Sequence, residues 1–312
     1  MFSSRSMRLW KLMLLIAPFV LDRHVASAQG ERVRVVVVQG APTVAAQEFL
    51  DGFRRRLEQA GRTAEIRTVT NDGTLAITHI ATALAPPSLV LALGSRAVEA
   101  VRDAHTDAPV IGALLAGENS AQDKDIARIT LEFPLDVELE WLHRVLPGVR
   151  RIGILYSTDA NAVRVAQARD VGKALGFEIV ARRVTSPAEI PAALAALASG
   201  ADVLWGIPDD IVLTTETAKA VLLASLRNRV PFVGLSAQWV RAGALYALER
   251  DYADLGAQSA DIAIRILDGT SPRAIGVVRP RKVTYVLNAR TAALVNVSLS
   301  ADLLRGASEV VR

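Results

Sequence analysis

Apolar positions along the chain follow two alternating patterns. Short runs such as Val35-Val36-Val37-Val38 are continuously β-branched, as in a parallel strand buried on both faces. Strands are expected over Arg34–Gln39, Ala64–Val69, Leu89–Leu93, Val110–Leu114 and Ile126–Leu131. A second set is expected over Arg151–Leu155, Glu178–Arg183, Val203–Trp205 and Phe232–Gly234. Between them, apolar residues recur three and four apart. Ala46, Phe49, Leu50, Phe53 and Leu57 form one such helical stripe, and Gly61 stops it. Further helices are expected over Leu75–Leu84, from Gly94-Ser95 through His105, and along Leu139, Leu142, Val145 and Leu146. Three more are expected over Ala162–Leu175, Pro187–Ala198 and Val212–Asn228. Strands alternating with helices at this spacing predict βαβ units and parallel sheets.

The pattern occurs twice. Gly61 and Gly176 are 115 residues apart, and so are the Val-Thr pairs that begin at Val69 and Val184. Ala108-Pro109-Val110-Ile111-Gly112 returns as Val230-Pro231-Phe232-Val233-Gly234. The expected fold class is therefore α/β, with two doubly wound parallel-sheet lobes facing each other across a cleft that holds a ligand. Beyond the second copy, Gly243–Leu248, Leu255–Leu267, Val277-Val278 and Val283–Leu287 continue the alternation, so returning chain must complete one lobe or both. The lobes are expected at 29–132 plus about 247–275 and at 133–246 plus about 276–312, joined by hinge strands.

Residues 1–28 lie outside this pattern. Arg5, Arg8 and Lys11 precede the apolar run Leu12–Leu21, and Ala26-Ser27-Ala28 supplies a small-x-small cut site. These are the parts of a secretory signal peptide, cleaved near Ala28. The apolar run is well short of the ~20 residues that span a bilayer. Removing residues 1–28 changes the charge picture: the chain carries +4, and the remainder holds 32 basic against 31 acidic residues. A nearly neutral mature protein has no bulk attraction for nucleic acid. The chain has no cysteine, so it has neither disulfides nor a residue for a lipid anchor. It is expected to be a periplasmic monomer without stable membrane insertion.

The chain resembles the exported substrate-binding proteins of ABC transporters, in the branch grouped around tryptophan and aromatic amino-acid binders. The matching stretches run in order from Leu91-Ala92-Leu93-Gly94-Ser95-Arg96-Ala97-Val98 and Leu146-Pro147-Gly148-Val149-Arg150-Arg151-Ile152-Gly153. They continue through Pro231-Phe232-Val233-Gly234, Asp251-Tyr252-Ala253-Asp254-Leu255-Gly256 and Leu267-Asp268-Gly269 to Leu287-Asn288-Ala289-Arg290-Thr291-Ala292. The resemblance implies a type I periplasmic binding protein architecture and an ABC permease as partner. It departs at Leu115-Ala116-Gly117-Glu118-Asn119, where relatives often carry an acidic-proline turn.

Ligands of open α/β sheets bind beyond the carboxyl ends of the strands. In this chain the candidate contacts are Gln39, Ala41, Pro42, Gly94, Ser95 and Ala116 from the first copy. Phe133, at the break between copies, joins them, with Tyr156, Ser157, Asn161, Pro208, Asp209 and Ser236 from the second. Ser95 is either a helix cap or a contact for a ligand carboxylate, which Arg96 could also clamp. Asp209 could hold a ligand amine, while Asp210 could simply cap the following helix. Trp205 and Trp239 could stack on an apolar ligand or belong to the core.

The chain lacks the G-x-S-x-G, H-E-x-x-H and phosphate-loop motifs, and His79, His105 and His143 fall on separate expected helices. An enzyme, a metal site and a cofactor are therefore not expected. The resemblance implies the expected function: capture of a small polar organic ligand, an amino acid or similar molecule, and its delivery to an ABC importer. The alternative is a periplasmic sensing module that signals to a membrane receptor or kinase.

Overall fold

The computed structural model describes residues 32–71, 89–115 and 125–312. The expected signal peptide, the helix expected over Leu75–Leu84 and the candidate contact Ala116 lie outside these residues. Two sheets organise the rest. The first contains β1 (Arg32–Gln39), β2 (Thr63–Thr70), β3 (Leu89–Leu93), β4 (Val110–Leu115), β5 (Ile126–Thr130) and β11 (Val277–Val278). Its order is β11-β5-β4-β3-β1-β2, and every pair is parallel. The second contains β6 (Arg151–Tyr156), β7 (Glu178–Arg183), β8 (Val203–Trp205), β9 (Phe232–Val233), β10 (Tyr246–Arg250), β12 (Val283–Asn288) and β13 (Glu309–Val311). Its order is β13-β12-β10-β9-β8-β6-β7, with only β12 antiparallel to its neighbour β10.

The continuous runs become central strands because helices cover both faces. In β3 all five residues are buried. Val35 and Val37 pack with Phe49 and Phe53 on one face, and Val36 and Val38 pack with Ala97, Val98 and Val101 on the other. The helices that supply these residues are α1 (Val44–Gln59) and α2 (Ser95–Asp103). Thr43 caps α1 by accepting from the Ala46 N–H at 3.1 Å. The second sheet is covered by α3 (Leu135–Val145), α4 (Asp159–Ala174), α5 (Ile190–Ala198) and α6 (Ala218–Asn228). Shorter helices follow: α7 (Ala237–Ala242), then α9 (Pro272–Ile275), α10 (Ala289–Leu294) and α11 (Ala301–Gly306) around the long α8 (Tyr252–Leu267).

Among the described residues the chain passes between the two sheets three times, at 131–134, at Asp251 and at 279–282. It leaves the second sheet after Arg250 and the first after Val278. The late strand begins at Tyr246, not Gly243, because Gly243 ends α7 with φ 128°, a conformation that favours glycine. The crossovers hold one another. Arg250 Nε donates to the Leu131 carbonyl at 2.8 Å, Lys282 pairs with Asp251, and Arg281 Nη2 meets Asp254 Oδ1 at 2.9 Å.

One expected helix starts late. The chain folds as turns from Asp210 to Thr217, and α6 begins only at Ala218. The buried Thr217 hydroxyl donates to the Val212 carbonyl at 2.7 Å, and its oxygen accepts from the Thr214 N–H at 3.0 Å. Threonine side chains here compete for the backbone groups that a helix would use. Replacing Thr217 with valine keeps the shape and removes these bonds. Chemical denaturation should show a loss of about 1–2 kcal/mol, and an unchanged midpoint would contradict this role.

Candidate functional site

A cavity of about 400 Å3 lies where the crossovers meet the carboxyl ends of the second sheet's strands. Its apolar wall is Phe133, Trp205, Val233, Tyr246 and Leu248, and Tyr252 stands at the start of α8. Four charged side chains complete it: Glu132, Glu138, Arg164 and Arg250. Arg164 Nη2 donates to Glu138 Oε2 at 2.5 Å, while its Nη1 reaches Glu132 Oε2 only at 3.5 Å. Arg250 lies over the Phe133 ring, 4.9 Å from its centroid, a cation–π contact that joins the first and second crossovers.

Burial dominates the electrostatics of Glu138. It pushes the carboxyl up to about 7, against the pull of Arg164 and Arg250, with Glu132 pushing the same way as burial. Burial also raises the Tyr246 hydroxyl, helped by the nearby Glu138 charge.

Of the residues expected from sequence, Phe133 and Pro208 line this cavity, as does Trp205. Ser157, Asn161 and Asp209 form one network beside Pro208. Both Asp209 oxygens are taken: they accept from Ser157 N and Oγ at 2.7 Å, and from Asn161 Nδ2 at 2.9 Å. They also accept from Ile211 N at 3.0 Å and Val212 N at 2.9 Å. Burial opposes the Asp209 charge, but the bonds from Ser157, Val212 and Ile211 outweigh it and hold the carboxyl below the usual carboxylate range. Asp209, not Asp210, therefore caps this turn, and its oxygens are committed to the protein. Asn161 Nδ2 also donates to the Pro208 carbonyl at 2.9 Å, which fixes the cavity edge.

Gln39, Ala41, Pro42, Gly94 and Ser95 sit at the carboxyl ends of β1 and β3 and do not line the cavity. Gly94, at φ 89°, is the cap residue of α2, and Ser95 is its first helical residue without a side-chain cap bond. The Gln39 side-chain oxygen is buried without a partner. Arg96 is exposed. Tyr156 ends β6 half-buried, and Ser236 precedes α7 without a side-chain bond. Trp239 is partly buried and packs against the core residue Phe232, ring centroids 5.6 Å apart.

Sequence reasoning missed Glu138, Arg164 and Arg250. The first two carried a readable signal. Glu138 shares a stripe with Leu142 and Val145, and Arg164 shares one with the buried Ala168. A charge on a buried helical stripe needs a partner, and each supplies the other. Among the described residues no group of three or more metal-ligating side chains comes together, and no helix is long and apolar enough to cross a membrane.

The family model for ABC transporter substrate-binding proteins matches residues 56–311. A tyrosine-binding protein of Clostridioides difficile is 24% identical over 228 residues, which cover 70% of this chain and 66%, just under two thirds, of that protein. Among solved structures, a ligand-free, open substrate-binding protein with adhesive properties from Clostridium difficile superposes with a TM-score of 0.71. It is 19% identical, over 89% of this chain and 99% of its own. A Streptococcus pneumoniae ABC domain in complex with L-Trp gives 0.59 at 19% identity, over 90% and 100% of the two chains. These likenesses place the two sheets and their helices in the type I periplasmic binding protein fold. The chain belongs to the ABC transporter substrate-binding protein family.

Proposed function

We propose that this chain is exported and captures an amino acid or similar small polar molecule between its lobes, for delivery to the permease of an ABC importer. The cavity carries this reading: an apolar wall of Trp205, Tyr246 and Leu248 stands beside two carboxylates and two guanidiniums. A zwitterion with an apolar side chain has one group for each of these surfaces. The tyrosine-binding relative and the L-Trp complex of a structural neighbour support the same ligand class. A micromolar ligand needs about 8 kcal/mol, more than one ion pair supplies, so contacts from both lobes are required. Bending at the three crossovers would bring Gln39, Ala41, Pro42, Gly94 and Ser95 toward the ligand. Tyr156, Ser157, Asn161, Pro208, Asp209 and Ser236 would support the opposite wall, and Phe133 would sit at the pivot.

Arg250 joins the ligand's charge to the hinge, because the same side chain lines the cavity and holds Leu131. Arg250→Ala is expected to weaken tyrosine or tryptophan binding tenfold or more by titration calorimetry, a loss of about 1.4 kcal/mol. Equal affinity in the variant would contradict the placement. Delivery is tested separately: deletion of the gene should abolish uptake of the radiolabelled ligand, and undiminished uptake would contradict it.

A further inference from the structure

Glu138 stands where both signs of charge in the cavity meet. Its Oε2 accepts from Arg164, and no hydrogen bond among the described residues reaches its Oε1. Arg164 is only partly committed, since its Nε is buried without an acceptor. Arg164 from α4, Arg250 from β10 and Glu132 from the first crossover face Glu138. Tyr246 of β10 faces it as well, and Tyr252 borders the same cavity. With Glu138 ionised, two carboxylates balance two guanidiniums. With Glu138 protonated, the lining carries one excess positive charge, which disfavours any ammonium.

Resting on the reading of this cavity as the ligand site, we propose that a zwitterionic ligand is captured by exchange at Glu138. The ligand's ammonium takes the place of the Glu138 proton, the proton leaves to solvent, and capture releases it. The balance is simple: a neutral carboxyl and an ammonium become an ion pair and one free proton. An ammonium beside a carboxylate stabilises the ionised form, whereas an ammonium buried without such a partner is costly. Burial raises the Glu138 carboxyl to about 7, so the exchange is required below neutral pH and falls away above it. Affinity should therefore rise with pH by about tenfold per unit well below pH 7 and level off above it, because binding releases a proton only where the free protein holds one.

Titration calorimetry with L-tyrosine and L-tryptophan, in buffers of different ionisation enthalpy, tests this. The expected release is most of a proton per ligand at pH 6 and little at pH 8. Glu138→Gln should abolish the release at pH 6 and lower affinity tenfold or more at pH 8. Should Glu138→Gln fail to fold, the buffer dependence of the unaltered protein at the two pH values decides alone. Binding at pH 6 without buffer dependence, or an undiminished release in Glu138→Gln, overturns the exchange and leaves the ligand site standing. If no amino acid binds at all, the reading of the cavity falls and the exchange with it.

Discussion

Gly256→Ala should destabilise the protein by about 3 kcal/mol or more, a large effect for one methyl group. The reason is the crossing of α1 and α8. A Cβ at Gly256 would overlap the Phe49 carbonyl oxygen, and one at Gly52 would overlap the Ala253 carbonyl oxygen. Each helix uses its glycine to admit the other's backbone. A backbone oxygen cannot rotate aside as a side chain can, so the helices must separate. Separation would open the cluster in which Phe49, Phe53, Leu255 and Ala263 are packed. The effect reaches the site, because α8 begins two residues after Arg250. Urea titration should show a lower midpoint for Gly256→Ala and for Gly52→Ala. Wild-type midpoints would mean that the helices do not approach this closely.

Asp209→Ala is the second large effect, expected at about 3 kcal/mol, because one half-buried carboxylate accepts from five donors. Its loss would strand Ser157 N and two turn N–H groups and leave the Asn161 amide held by the Pro208 carbonyl alone. The pH dependence has a definite sign. The folded-state carboxyl lies below its ordinary value, so its stabilisation is present at neutral pH and above the ordinary carboxylate range. It is lost as pH falls through the folded-state value. Asp209→Asn should flatten that acid loss in denaturation midpoints, and a wild-type acid profile in the variant would contradict the role. Glu138 has the opposite sign: its raised carboxyl contributes stability that is lost as pH rises through about 7.

Much of the fold was legible in the sequence because buried parallel strands need continuous apolar runs. Leu89–Leu93 and Glu178–Arg183 match the expected ranges in full. The late start of α6 was not legible, since Val212 and Leu213 keep a helical apolar pattern while threonine hydroxyls take the backbone groups. The short α10, α11 and β13 were also missed. They rest on local caps, such as the Thr291 N–H donating to Asn288 Oδ1 at 2.7 Å, and on pairing with β12, not on periodicity.

The site shows a sharper division. Phe133 and Pro208 could be read from their positions at a chain break and a strand end. Glu138 and Arg164 lie 26 residues apart, and Arg250 meets Leu131 across 119. The second pairing is made by the returning chain, which composition and spacing do not encode. Asp209 was legible as a polar group at a strand end. Its five donors were not, because Ser157 and Asn161 belong to a neighbouring strand–helix unit.

Native mass spectrometry of the freshly purified protein tests ligand capture most directly. An amino-acid-sized adduct is expected on the folded protein, lost on denaturation and depleted in Arg250→Ala. A bare protein that gains no adduct after incubation with tyrosine, tryptophan and the other proteinogenic amino acids would contradict it.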